Sequence, residues 1–270
     1  MSSPRVPALP AASDSRSDLR PDLHSGLVPD VPAPASAPET GPSIWLASRS
    51  PRRLDLLAQI GVRAELLLDP DESRAEALEA RLTGELPAPY VCRIARLKAL
   101  AGCERLAVIA REASLDSAPP VPMRAVLAAD TTVAIGSTIF AKPLDADDAA
   151  RMIGALQGRT HRVLTAVALA LPGGMGDSDK VRVFERLQVS KVRFSRLKAG
   201  EIARYVASGE PFGKAGGYAI QGLAAAFVRR IDGSHSGIMG LPIFETVQLL
   251  RKTGLVIPPA PGAWPQWHLS

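Results

Sequence analysis

The sequence predicts an α/β protein organised around a mixed sheet. Between residues 43 and 257, apolar β-leaning runs alternate with stretches of helical periodicity, the pattern of strands interleaved with helices. Two of the runs, 162–171 and 182–194, are joined by the turn-rich segment PGGMGDSD, which predicts a hairpin and so a sheet that is not purely parallel. Composition sets the kind of core. Hydrophobic residues make up 46% of the chain but aromatics only 4%, so the interior must be filled by Ala, Leu, Val and Ile.

Residues 1–42 are rich in Pro, Ala, Ser and Asp and lack periodicity, which predicts a disordered tail unable to bury enough apolar surface to offset ordering. Residues 44–47 predict a short strand. Ser50 suits a helix N-cap and Pro51 the first helical position, where its missing N–H costs nothing. Leu54, Leu57, Ala58 and Ile60 then supply an apolar face, and Gly61 ends the helix. A strand over 64–68 follows. Asp69-Pro70-Asp71-Glu72 is similar to the opening of a calcium loop. Arg74 stands where that loop needs glycine and Ala80 where it needs glutamate, so an EF-hand is rejected and a solvated turn expected. Residues 89–113 predict a long helix with a stripe of Val91, Ile94, Ala95, Leu97, Ala99, Leu106 and Ile109, broken by a loop over 114–123. A strand over 125–135, a helix over 145–156 with an Asp-rich start, the hairpin, a helix over 197–208, a strand over 225–231 and a helix over 243–252 complete the domain. Residues 258–270 predict a second, shorter tail, on which Trp264 and Trp267 could dock or hang loose.

The formal net charge of +5 suits an anionic partner, nucleotide or nucleic acid, and equally an ordinary solubilising charge. Cys92 and Cys103 are the only cysteines and have no metal or redox spacing, so a reducing cytoplasmic setting is expected. No uncharged apolar run reaches the ~18 residues of a membrane span, and no signal peptide is expected. The four histidines are scattered without ligand spacing, which argues against zinc; His161 and His235 are expected to be structural or surface residues.

Three constellations suggest chemistry. In Ser48-Arg49-Ser50-Pro51-Arg52-Arg53 a strand, a short loop and a helix N-terminus form an anion site to which two arginines add fork-shaped donors. Arginines paired with Asp55 in solvent are the alternative. In Ala128-Ala129-Asp130-Thr131-Thr132 a carboxylate lies inside an apolar run, where it is costly unless paired, hydrogen-bonded or on a metal. It could bind a divalent cation, activate a water or cap a turn. Lys142 follows in Ala141-Lys142-Pro143, on a constrained turn able to aim an ammonium at a phosphate or to leave it in solvent. In GEPFGKAGGYAIQG (209–222), five glycines in fourteen residues allow close backbone approach, Lys214 lies within, and the Gln221 amide could pair with a base edge; a flexible surface hairpin is the alternative. A P-loop is excluded by the spacing and by Ala215 after the lysine. Lys98, in mid-helix, is by itself a solvated residue.

SRSPRR, AADTT, AKP, LQGRTHRV, GEPFGKAGGYAIQG and GLPIFET, in this order over about 43–252, resemble the Maf family of nucleoside triphosphate pyrophosphatases, the septum formation proteins. The resemblance implies an elongated mixed sheet flanked by helices, with two lobes around a cleft, similar to inosine triphosphate pyrophosphatases. It implies cleavage of a nucleoside triphosphate to the monophosphate and pyrophosphate with a divalent cation, Mg²⁺ or Mn²⁺, removal of non-canonical nucleotides and a link to cell division arrest. It assigns Asp130 as the proton acceptor that also touches the metal, and Glu72 as an acidic metal ligand, which overrides the local reading of that turn. Arg52, Arg53, Lys98, Lys142 and Lys214 match substrate-binding positions, and Arg52, Thr131 and Gln221 match positions linked to base choice. A homodimer is the oligomeric state it suggests.

Arg52 together with KAGGYAIQG is similar to the subgroup acting on dTTP, UTP and 5-substituted uridines, rather than the one preferring 7-methyl-GTP. Thr132, Ala141 and Gly213 depart from the usual Val, Gly and Asp, and the segment between Lys98 and Asp130 is longer than usual; none removes a catalytic group. A nucleic-acid-binding regulator of septum formation is the rival class. It leaves Asp130 and the Gln221 loop unexplained, and stable nucleic acid binding is not expected.

Overall fold

In the computed structural model, which describes residues 43–173 and 180–257, β1 (Ser43–Leu46) leads into α1 (Pro51–Gln59), β2 (Arg63–Leu66) and α2 (Glu72–Leu78). The long α3 (Pro87–Leu115) precedes β3 (Val126–Ile135), β4 (Thr138–Phe140), α4 (Ala146–Leu156), β5 (Thr160–Leu171) and β6 (Arg182–Phe194). The chain closes with α5 (Ala199–Ala207), β7 (Val228–Asp232), α6 (His235–Met239) and α7 (Ile243–Leu250). The expected tails and most of the turn joining β5 to β6 lie outside the described residues.

The sheet is mixed, as expected. Its order is β2-β1-β3-β5-β6-β7, with β4 beside β3; β1 runs parallel to both β2 and β3, and the other pairings are antiparallel. One detail of register makes the site. Along one edge β3 pairs with β5 from Val126 to Ala134. Along its other edge it meets β1 only at Val126 and Leu127, and β4 only from Val133 to Ile135. Residues 128–132 therefore have no strand neighbour on that edge, and the open stretch contains Asp130, Thr131 and Thr132.

Three apolar clusters hold this frame, and the few aromatics gather mainly in the third. One packs Leu56 and Leu57 of α1 and Leu249 and Leu250 of α7 against alternate residues of β1, β3 and β5. The second packs Val91, Ile94, Ala95 and Ala99 of α3 on the opposite face. The third joins Met152, Ile153 and Leu156 of α4 to Phe194, Tyr205 and Tyr218. Short elements depart from expectation. The acidic turn at Glu72 opens α2, and the expected strand over 225–231 begins at Val228 after a 3₁₀ turn over Leu223–Phe227. Ser50 occupies the α1 N-cap position without a side-chain cap bond; its backbone N donates instead to Ser48 Oγ at 3.2 Å.

His161 is structural. Its side chain is 1% exposed, lies edge-on to Phe194 and Tyr218, and places Nε2 2.8 Å from the Tyr218 hydroxyl. Burial lowers its pKa from 6.5 to about 4. The unfolded chain therefore takes up this proton first, so the contribution is complete above about pH 6.5 and is lost as pH falls toward 4. The loss amounts to up to ~3 kcal/mol. Urea midpoints at neutral pH and near pH 5 should separate wild type from His161→Gln: the variant loses part of the acid sensitivity. Equal pH slopes would contradict this.

Candidate active site

The open stretch of β3 is filled from α3. Side chains alternate along a strand, so Asp130 faces α3 with Val126 and Ala128, and Thr131 faces α1 and α6. Lys98, on the inner face of α3, donates to Asp130 Oδ1 at 2.8 Å and to Glu79 Oε1 at 2.7 Å. Lys142 donates to Glu79 Oε2 at 3.3 Å from the turn after β4. Glu79 stands in the turn that closes α2, and Tyr90 Oη of α3 donates to its backbone carbonyl at 3.0 Å. Two carboxylates and two ammonium groups thus alternate across one small cleft, whose walls include Tyr90, Thr131, Ala141 and Ala215.

Burial raises the pKa of Asp130; Lys98 and Arg53 pull it back, and Glu79 pushes it up further. The net direction is upward, which suits a proton acceptor better than an ordinary exposed aspartate. Burial also works against ionisation of Glu79, but Lys98 and Lys142 outweigh it and the pKa ends low. Tyr90 is pushed up to about 12, first by burial and then by the charges of Asp130 and Glu79. It remains a neutral donor.

The arginines approach from the other side. Arg53 Nε donates to Gly240 O at 2.8 Å and Nη1 to Ser48 Oγ at 2.7 Å, while Arg52 Nε donates to Met239 O at 3.3 Å. The carbonyls that end α6 thus accept from both arginines at the start of α1. Arg53 lies within electrostatic reach of Asp130 and Glu79.

The glycine-rich loop forms the remaining wall. Gly216 N donates to Ala141 O at 3.0 Å, which ties the loop to the lysine turn. A Cβ at Gly216 would stand 2.8 Å from Val133 of β3, so only glycine permits this approach. Glu210 accepts from Leu223 N at 2.7 Å, Ala224 N at 3.1 Å and Tyr205 Oη at 3.0 Å, and so anchors the turn after Gln221. Lys214 donates to Glu210 O at 2.6 Å and Phe212 O at 3.3 Å, which directs its ammonium into its own loop. Gln221 is exposed on the same loop.

Of the residues singled out in the sequence, Asp130, Lys98, Lys142, Arg53 and Thr131 are brought together, with Arg52 beside Arg53. Lys214 and Gln221 belong to the adjoining loop. The side chain of Glu72 lies outside the described residues. Sequence reasoning missed Glu79, Tyr90 and Ser48. Glu79 follows Glu72 by seven residues, a helical spacing that the expectation of a turn left untested.

The chain matches the Maf-like protein family over residues 43–253. It is 51% identical over 224 residues to a dTTP/UTP pyrophosphatase of Ralstonia nicotianae, a match covering 83% of this chain and 99% of that protein. It is 52% identical over 212 residues to a dTTP/UTP pyrophosphatase of Cupriavidus metallidurans, covering 78% and 97%. A dTTP/UTP pyrophosphatase of Burkholderia lata is 52% identical over 217 residues, covering 80% and 96%.

Proposed function

The chain belongs to the Maf-like protein family, and from that premise we propose that it hydrolyses dTTP and UTP to the nucleoside monophosphate and pyrophosphate. The observation that carries the reading is the gathering of Lys98, Lys142 and Arg53 around the carboxylates of Asp130 and Glu79 at the open stretch of β3. The cations neutralise the triphosphate and the charge that builds on the departing pyrophosphate. Asp130, with its pKa raised by burial, accepts the proton of the water that attacks the α-phosphorus. Arg52, Thr131 and Gln221 select the base. Lys214 joins in only by releasing the carbonyls of its own loop.

A divalent cation, Mg²⁺ or Mn²⁺, fits the donor set. No group of three or more metal-ligating side chains occurs among the described residues, but Asp130 and Glu79 offer two carboxylates around one shared cation. Mg²⁺ is commonly held by one or two carboxylates together with substrate phosphates and water. Asp130 and Glu79 would hold the ion, with Glu72 as the further ligand suggested by the family likeness. When bound, the ion supplies positive charge to the phosphate oxygens.

No helix among the described residues is long and apolar enough to cross a membrane. We place the enzyme in the cytoplasm, a reading that the free thiols of Cys92 and Cys103 support. Its partner is a free nucleotide, not a polynucleotide, because Lys98, Lys142 and Arg53 gather at one small carboxylate-lined cleft; a homodimer remains the proposed assembly. Pyrophosphate release across a panel of nucleoside triphosphates, with Mg²⁺ and with chelator, tests the reading. Turnover should be highest with dTTP and UTP and should stop with chelator. Salt-sensitive retention of DNA without turnover of any nucleotide would overturn it.

A further inference from the structure

Thr131 and Thr165 are directly paired across β3 and β5, with their hydroxyl oxygens 3.0 Å apart. Thr165 Oγ1 also lies 2.7 Å from the carbonyl oxygen of Gly237 in α6, and Thr165 is fully buried. These distances settle the direction of both bonds. A carbonyl cannot donate, so the single proton of Thr165 goes to Gly237 O. The proton between the two threonines must then come from Thr131. Thr131, partly exposed on the cleft wall, has spent its own proton inward and turns a lone pair outward. Gly237 is itself held, since its N donates to Ser234 Oγ at 3.0 Å and Ser234 N donates to Ser190 Oγ at 2.9 Å. The chain of bonds therefore runs from a braced backbone carbonyl to the rim of the site, close to the arginine pair: a Cβ at Gly240 would lie 3.5 Å from Thr131 Oγ1 and 3.6 Å from Arg53 Nε.

We propose that Thr165 is a specificity-positioning residue that fixes Thr131 as a hydrogen-bond acceptor toward the substrate, favouring bases with an N–H at that edge, the N3–H of uracil and thymine, over cytosine. The inference rests on the reading of the site as one for pyrimidine nucleoside triphosphates. Cytosine presents an acceptor at N3, and two facing acceptors cannot bond to each other. A hydroxyl free to rotate would serve either base; one locked from behind serves only the donor.

The test is kcat/KM for UTP and CTP in wild type, Thr165→Val and Thr165→Ser. Valine keeps the shape and removes the hydroxyl oxygen that accepts from Thr131, so the UTP-to-CTP ratio should fall on the order of tenfold, as expected for one hydrogen bond. Serine restores the lock and should restore the ratio. A purely structural role would lower both substrates together and leave the ratio unchanged, which overturns the inference. If Thr165→Val does not fold, Thr131→Val removes the acceptor itself and must collapse the same ratio; its persistence overturns the inference too. Wild-type protein that cleaves neither UTP nor dTTP would remove the parent reading as well, whereas turnover with an unmoved ratio removes the inference alone.

Discussion

Asp130→Asn is expected to lower pyrophosphate release from dTTP by at least ~10²-fold, the size of effect general-base removal produces, without loss of folded stability. Asparagine preserves the shape of the side chain and can still accept from Lys98, but it cannot take a proton from water at neutral pH. The stability half follows from the direction of the pKa shift. Burial raises the Asp130 pKa in the folded state, so its contribution is favourable while the group is protonated and is lost as pH rises through the folded value. Carrying this carboxylate's charge in the folded state therefore opposes folding, and the neutral amide relieves that opposition. A melting temperature at or above that of wild type, together with collapsed turnover, is the expected pair of results. Near wild-type turnover would remove Asp130 from the proton-acceptor role. Collapsed turnover with a large fall in melting temperature would make the residue structural.

The elements that could be anticipated were those long enough to repeat a pattern. The strand over 182–194 lies where the β-leaning run after the turn-rich segment placed it, and the long helix expected over 89–113 starts earlier, at Pro87, because proline is tolerated in a first turn. β4 has three residues and α6 five, too short to establish a period. In the site, the motifs supplied Asp130, Lys142 and the arginines, but contact between them is a property of the fold. Lys98 and Asp130 are 32 positions apart, and local pattern alone makes Lys98 a solvated residue. It points inward because α3 crosses the sheet where β3 has lost its neighbour. Glu79 was hidden for a related reason: its role depends on α2 returning to α3, where Tyr90 takes hold of its carbonyl.

Arg53→Lys should lower kcat/KM for dTTP by ~10²–10³-fold, the cost of misplacing a donor aimed at developing charge. The substitution keeps the charge and removes the geometry. Arg53 uses two nitrogens at once, Nε on Gly240 O and Nη1 on Ser48 Oγ, so the guanidinium plane is fixed between the turn after α6 and the loop before α1. A lysine ammonium is one compact centre on a flexible stem and cannot hold both partners in a defined plane. Burial and the neighbouring Arg52 press the Arg53 pKa down while Asp130 and Glu79 press it up, so this cation lies in the electrostatic field of the proposed proton acceptor. Arg52→Lys provides the comparison: the Arg52 contact to Met239 O is longer, at 3.3 Å, and its loss should cost less. Turnover in Arg53→Lys within about threefold of wild type would mean that charge alone suffices there. The expected larger loss would explain why two arginines stand at the positive end of α1. The carbonyls closing α6 accept from their Nε atoms and offset the misplaced charge, which leaves the guanidinium forks held in place to meet an anion.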